Sequence, residues 1–508
     1  MVQPIKDITI VGGGTTGWLS ALYLANFFSE SIKQGRMSIT VIESSKIGII
    51  GVGESLSPSM TETLKGMSIS EKEFVKETDA SFKLSGYFVN WSSSENGSSH
   101  RWINPFIGYL TAGYQYESFE VEDHQPKGED YASAMTPCPA AIDLRKAPRK
   151  IGDAEYSHLL RYAYHTDATK FAPFLMQHAK AMGVKHVIDD VVDAQLDEKG
   201  FIKAINLAEN GLFPVEFVID ATGFSSVLLH QKLGVQLVDY SKHLINDRAV
   251  VAQLSYGDED EIEPATRSTA LKNGWAFRVP LYSRTGNGYV YSSRFTSDDE
   301  AAHEFVEYLG CKEGEISPRV IKMRVGRAEQ PWVKNCVALG LAAGFVEPLE
   351  ASAIFTVETS LKWLVNYFPT MEMEDSLARR YNKRVQELYD EVVDYIVLHY
   401  HLSKRSDTAY WQFQAKEILL PDRLKENLEV WKHALPVRGD FASANYFDHN
   451  TYIAALFGKG FYKGASLHPE RRYDQNEWLS LKKMVDDAHR RALKELPGHR
   501  ELLTSLRA

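Results

Sequence analysis

Three cysteines in 508 residues, Cys138, Cys311 and Cys336, are too few and too far apart for a disulfide framework or a C-x-x-C pair. They read as reduced thiols, which points to a cytoplasmic protein. Long apolar runs are also missing. No stretch approaches the roughly 20 residues that span a bilayer, so a soluble chain without membrane partners is expected. The opening MVQPIKDITIVGGG lacks the basic start and cleavable apolar stretch of a signal peptide. Nor is there a Lys/Arg block: 57 basic against 67 acidic side chains give a formal charge of -10. Such a surface does not neutralise a row of phosphates, which excludes nucleic acid as an expected partner. Repeats and low-complexity segments are absent. His165, His399 and His401 do not follow H-E-x-x-H spacing, so no metal is assigned and ordinary hydrogen-bonded histidines are expected.

What is present is an ordinary globular composition, 44% hydrophobic and 24% charged, with length for a large core or two domains. Ile8 to Val11 is a β-branched run that ends at Gly12, and Trp18 to Phe28 carries apolar residues at helical spacing. A second strand, Ser38 to Ile42, ends at Glu43 and completes a strand-helix-strand unit. From Asn96 to about Pro148 turn residues and aromatics replace clear periodicity, among them Pro105, Phe106, Tyr109, Tyr114 and Tyr116, which suggests an inserted cap. Regularity returns at Tyr156, with a helix expected through Lys180 and strands near Lys185–Ile188, Ile202–Leu207 and Glu216–Ile219. Beyond Ala353 the pattern is mainly helical and ends in a charged amphipathic helix over Asp474–Glu495.

Gly12, Gly14 and Gly17 form G-x-G-x-x-G directly after a strand and at the start of a helix, the context in which that motif binds a dinucleotide. Glycine allows the tight turn and close approach of pyrophosphate, and the helix start offers N–H groups and the positive dipole end. Glu43 stands 31 residues after Gly12, where its carboxylate can accept from the adenosine ribose. Two further strand-turn segments, ending in Thr222-Gly223 and Gly340-Leu341, favour a long flavin over a nicotinamide. The loop Gly51-Val52-Gly53-Glu54 could move over the cofactor, and a plain turn explains it nearly as well.

The order of motifs along nearly the whole chain resembles the flavin-dependent tryptophan halogenases. VGGGTTGW, GVGES at Gly51, FKLSGYFVNW at Phe82, DATGF at Asp220, GWAFRVPL at Gly274, GNGYVYSS at Gly286, MRVGR at Met323, FVEPLEASAIF at Phe345 and VLHYHLSKRSDTAYW at Val397 occur in family order. The resemblance implies an α/β fold with a glutathione-reductase-like or hydroxylase-like FAD module and a largely helical substrate module. The expected division is 1–100 with 150–360 for FAD, and 101–149 with 361–508 for substrate. It further implies reduced FAD and a halide, chloride, bromide or iodide, as reactants, a small aromatic substrate, and a separate flavin reductase as partner. Oligomeric state stays open, a homo-oligomer included.

By position, Lys83 matches the family lysine that hydrogen-bonds hypohalous acid or carries it as a haloamine. A cation suits either role because it makes the halogen more electrophilic. Glu350 matches the glutamate that stabilises the cationic ring and removes its proton, while Glu347 is given a structural or channel-lining role. The family's W-x-W-x-I-P reads Trp275, Phe277 and Pro280 here, a bulky barrier between flavin and substrate with one indole replaced by phenyl. Where relatives bind halide on Ser-Thr-Gly, this chain has Ala351-Ser352-Ala353. Ser352 and Ala353 would form a reshaped halide site that favours bromide or iodide, and Ala353 would be strained if positive φ were required there. Phe106, Tyr446, Phe447 and Tyr452 are the expected substrate rings, and their loose match points away from free tryptophan toward an indole, a phenol or a larger aromatic compound. The competing readings are a flavin monooxygenase that hydroxylates, and a non-catalytic flavin-binding protein.

Overall fold

The computed structural model describes residues 3–48, 51–93, 99–106, 131–257, 261–312, 314–443, 445–462 and 475–508. Tyr109, Tyr114 and Tyr116 lie outside them. Apolar, β-branched segments buried on both faces form the middle of the first sheet, as central parallel strands require, while its edge strand Lys185–Ile188 is partly exposed. Its order is Trp332–Val333, Cys336–Ala338, Phe217–Asp220, Asp7–Val11, Ser38–Glu43, Lys185–Ile188, parallel except for the first pair. Register places Val11 beside Ile42 on one side and Asp220 on the other, and Asp220 beside Ala338. The C-terminal ends of four strands therefore open at one edge, where α/β sheets bind ligands.

The helix Thr15–Phe27 follows the first strand and packs on the helices Ala168–Ala181 and Ser352–Asn366. A helix from Tyr156 to Lys180 does not form as expected. Ala163–Thr166 is a strand, and the helix starts only at Ala168, capped by the Asp167 carboxylate on the Thr169 amide. Proline at 173 is the sixth residue of this helix and removes the amide that would donate to the Thr169 carbonyl.

A second, seven-stranded sheet runs Arg319–Lys322, Arg248–Ser255, Arg284–Tyr291, Gly274–Pro280, Ala265–Ala270, Ser85–Ser93, Ser99–Pro105. Only its Ala265–Ala270 and Ser85–Ser93 pair is parallel. A small third sheet joins Glu54–Ser55, Ala163–Thr166 and Ser81–Lys83. A module boundary at residue 100, which is a proposal, would fall inside Ser99–Pro105, a strand of the second sheet paired with Ser85–Ser93. After residue 352 helices dominate, the longest being Asp375–His401. The amphipathic helix covers Gln475–Glu495, and a further helix, His499–Arg507, closes the described chain. Among the described residues no helix is long and apolar enough to cross a membrane, and no group of three or more His, Cys, Asp or Glu is placed to hold a metal.

Candidate active site

The strand ends build one half of the site. At Gly12 φ is +119°, and a Cβ there would fall 2.2 Å from the Ala221 carbonyl oxygen. At Gly17 a Cβ would fall 1.8 Å from the Gly12 oxygen. Both glycines are required by backbone contact alone. Gly14 differs: nothing lies within 4 Å of its Cβ position, and it begins the helix Thr15–Phe27 with no side chain capping the first N–H groups. An open, uncapped helix start beside strand ends fits a pyrophosphate. Glu43 lies against this turn, its Oε2 2.9 Å from His186 Nε2 and 3.4 Å from Trp18 Nε1.

The neighbouring turns are equally constrained. Buried Asp220 accepts from the Thr222 amide and hydroxyl and from the Leu228 and Leu229 amides, which fixes the turn that carries Gly223. Gly340, with φ +61°, leaves room for Thr16, whose hydroxyl would sit 2.4 Å from any Cβ. Leu341 follows in the short 3-10 turn Gly340–Ala342. The loop at Gly51 is pinned: its carbonyl accepts from Gln253, the Val52 carbonyl accepts from Arg284, and Gly286 lets that carbonyl come within 2.0 Å of a Cβ position. Burial pushes the Glu54 carboxyl up to about 7. These residues fit an extended dinucleotide such as FAD.

The other half is assembled from distant segments. Lys83 ends the strand Ser81–Lys83 and is 4% exposed. Its Nζ donates to Ser55 Oγ at 2.8 Å and lies 5.5 Å from the centre of the Phe106 ring. Burial pulls the amine down to about 8, opposed by the negative charge of Glu350. Glu350 has φ +65° and Ala351 φ +56°, two consecutive left-handed residues that are not glycine, each costing about 1–3 kcal/mol. Ala353 lies inside the helix Ser352–Asn366 and is not among the positive-φ residues, so the strain expected at 353 falls instead on 350 and 351. Ser352 is buried at the start of that helix.

Several groups hold Glu350. Asn104 Nδ2 donates to its Oε1 at 2.8 Å, and the Tyr446 hydroxyl donates to its backbone carbonyl at 2.8 Å. His399 Nε2 comes within 3.2 Å of the same Oε1, but neither ring nitrogen has an aligned hydrogen-bond partner among the described residues. Burial holds His399 down at about 4, so a neutral imidazole faces the carboxylate. Glu347 points into a different environment. It accepts from Trp275 Nε1 at 3.2 Å, Asn246 Nδ2 at 3.1 Å and the Tyr400 hydroxyl, and burial pushes it up to about 7. Its work is to hold Trp275. Phe277, two residues on, keeps the same face of the strand, its ring seated where Gly288 has no side chain. The Pro280 carbonyl accepts from Ser81 Oγ.

A cavity of about 810 Å³ is bordered by Asn104, Phe106, Glu350, Phe355, Tyr446 and Phe447, with a polar side formed by residues such as His158 and Asn450. Tyr446 stacks on Phe355 with centroids 4.2 Å apart. Of the four expected substrate rings, Phe106, Tyr446 and Phe447 border the cavity. Tyr452 does not: it is buried against Tyr395, Trp431 and Phe441, because it falls on the core face of the helix His449–Gly458.

Sequence reasoning missed Lys459. This second buried lysine, 2% exposed, donates to the His399 carbonyl at 3.2 Å and stands 5.1 to 5.5 Å from the rings of Trp102, Trp91 and Phe88. Burial pulls it down to about 7. Its flanks, Ala-Leu-Phe-Gly before and Gly-Phe-Tyr after, were the only sequence signal.

With this geometry in place, comparison with known proteins is direct. The family model described as tryptophan halogenase matches residues 7–472. A tryptophan 6-halogenase of Streptomyces toxytricini is 34% identical over 482 residues, 89% of each chain. A tryptophan 7-halogenase of Lentzea aerocolonigenes is 32% identical, with 99% of each chain covered. Among solved structures, the tryptophan halogenase of Shewanella frigidimarina superposes with a TM-score of 0.92 at 32% identity, covering 99% of this chain and 98% of that one. A flavin-dependent halogenase from Brevundimonas superposes at 0.85 with 29% identity, each chain covered to 99%. The glycine turns at the strand ends, the buried lysine with the partly buried carboxylate near it, and the match over 7–472 lead to one conclusion: the chain belongs to the tryptophan halogenase family.

Proposed function

We propose that this enzyme, a flavin-dependent halogenase, uses reduced FAD, oxygen and a halide to halogenate an electron-rich aromatic ring, indole-like or phenolic, with Lys83 and Glu350 as its catalytic pair. The observation that carries the proposal is their shared placement. A partly buried carboxylate, Glu350, borders the aromatic-lined cavity, and a buried amine within its field, Lys83, stands behind the cavity's Phe106 ring. Gly12, Gly14, Gly17, Glu43, Thr222, Gly223, Gly340, Leu341 and the loop Gly51–Glu54 would hold the cofactor. When bound and reduced, FAD supplies the electrons with which oxygen oxidises halide to hypohalous acid.

On the substrate side, a Lys83 N–H donates to the hypohalous acid oxygen and withdraws electrons from the oxygen–halogen bond. The ring carbon takes the halogen, the ring proton passes to Glu350, and the hydroxide leaves as water with a proton from Lys83. Trp275 and Phe277, backed by Pro280, keep the ring from the flavin side. Phe106, Tyr446 and Phe447 hold it by stacking. The loose match at the tryptophan-holding positions favours a substrate other than free tryptophan. Ser352 and Ala353 are proposed to take halide with a preference for bromide or iodide, which are oxidised more readily than chloride. A separate reductase is proposed to supply reduced FAD.

The test is a mass-spectrometric screen of indoles, phenols and tryptophan with each halide in competition, the reduced flavin being generated by an added reductase. Halogenated product that falls roughly 1,000-fold in Lys83→Ala and 100-fold in Glu350→Gln is expected. Hydroxylated product independent of halide overturns the halogenation, faster conversion of tryptophan than of indoles and phenols overturns the substrate class, and dominant chlorination overturns the halide preference.

A further inference from the structure

His165 was expected to be an ordinary hydrogen-bonded histidine. The fold gives it a less ordinary position. In the third sheet Ser55 pairs with His165 on one side and Ser81 pairs with His165 on the other, which sets three side chains in a row across three strands. Lys83 lies two residues beyond Ser81, on the same face of its strand. Thr266 enters from the neighbouring strand Ala265–Ala270.

The resulting contacts are continuous. Lys83 Nζ lies 2.8 Å from Ser55 Oγ, Ser55 Oγ 3.0 Å from Thr266 Oγ1, and Thr266 Oγ1 2.8 Å from His165 Nε2. On the far side of the ring, His165 Nδ1 lies 3.2 Å from Ser81 Oγ, which lies 2.5 Å from the Pro280 carbonyl. The direction of every proton follows from the two ends. A carbonyl only accepts, so Ser81 donates to Pro280 and its oxygen accepts from the His165 Nδ1–H. That tautomer leaves Nε2 as an acceptor, so Thr266 donates to it, Ser55 donates to Thr266, and Ser55 can only accept from Lys83. A hydroxyl locked as an acceptor cannot donate to the lone pair of a neutral amine, so it favours the ammonium form.

We infer that His165, acting through Thr266 and Ser55, is a positioning residue that keeps Lys83 protonated and aims one of its N–H bonds at Ser55, while a second reaches the Leu56 carbonyl at 3.5 Å and a third is left for the side on which Phe106 stands. The inference rests on the reading of Lys83 as the amine that meets the oxidised halogen. Burial alone acts in the opposite sense, drawing Lys83 down to about 8 and holding His165 neutral, well below the usual histidine range. The titratable groups around Lys83 are Glu350 from the strained turn, His165 across the sheet, and Glu54, which precedes Ser55 and alternates to the other face. Beyond the imidazole stands His499, buried and held low at about 4, its Nε2 accepting from the Phe82 amide and its Nδ1 3.0 Å from the Ile262 carbonyl.

The test compares Thr266→Val, which keeps shape and removes the hydroxyl, with Thr266→Ser, which keeps the hydroxyl. In full-length protein labelled with 13Cε-lysine, the Lys83 signal is assigned by its loss in Lys83→Met and followed against pH. Thr266→Val is expected to lower the Lys83 midpoint by about one unit, tenfold in the protonation constant, because the freed Ser55 hydroxyl then turns toward the amine. Thr266→Ser is expected to hold the midpoint within about 0.3 units of the parent. Ser55→Ala lowers it as well and serves if Thr266→Val does not fold. The fall of halogenation at high pH moves down with the midpoint, an effect that a loss of packing does not produce. An unchanged midpoint in both Thr266→Val and Ser55→Ala, or equal shifts in Thr266→Val and Thr266→Ser, overturns the inference. Full activity in Lys83→Ala would instead overturn the catalytic reading of Lys83, and the NMR titration would still decide the hydrogen-bond chain.

Discussion

The two halves of the site are encoded differently. On the nucleotide side Gly12, Gly14, Gly17 and Glu43 lie within 32 consecutive residues, and two of the glycines are dictated by contacts under 2.5 Å to backbone. On the substrate side Ser55, Lys83, Phe106, His165, Thr266, Glu350, His399, Tyr446 and Lys459 meet only after three sheets and the helical region have packed. A turn of fixed spacing writes its chemistry into local sequence. A cavity closed by tertiary contacts does not.

That contrast predicts separable damage. Gly17→Ala forces a Cβ to 1.8 Å from the Gly12 oxygen, so it should displace the turn and weaken flavin affinity by roughly 100-fold or more. Flavin fluorescence titration checks it, and unchanged affinity would remove the turn from the cofactor site. Lys459→Met should do the reverse. The folded-state titration of Lys459 lies below that of an exposed lysine, so from about 7 up to the ordinary lysine range the unfolded chain binds the extra proton. Stability therefore rises with pH through that window, and the full penalty for burying the charge applies below it. Removing the charge while keeping the volume should raise unfolding stability at pH 7 by about 2–4 kcal/mol and flatten its rise toward pH 9, with flavin affinity unaltered. Denaturant unfolding at the two pH values measures both. The smallest effect is expected from Glu43→Gln. It keeps the shape and weakens acceptance from a ribose hydroxyl, costing about tenfold in flavin affinity and nothing in the Lys83 titration.

Legibility followed the same division. The first strand, its helix, the strand at Ser38 and the turns at Gly223 and Gly340 were readable because apolar runs ended in glycine at fixed positions. The strand Ala163–Thr166 was not, since all four residues are buried and show no alternation to separate strand from helix. Lys83 and Glu350 were found through the resemblance, as nothing in a lone lysine distinguishes burial from solvation. Tyr452 lies off the cavity because it falls on the core face of the helix His449–Gly458, among Tyr395, Trp431 and Phe441, a direction that spacing from Phe447 did not reveal. Lys459 escaped because its cage of Phe88, Trp91 and Trp102 comes from strands more than 350 residues away.

The left-handed pair at 350 and 351 has a consequence for anyone who would make this protein more robust. Glycine at 351 would release backbone tension at a position that any stability screen would flag, and the variant should survive greater heat. The same exchange would let the adjoining carboxylate wander, so thermal endurance gained at 351 should be repaid in slower turnover.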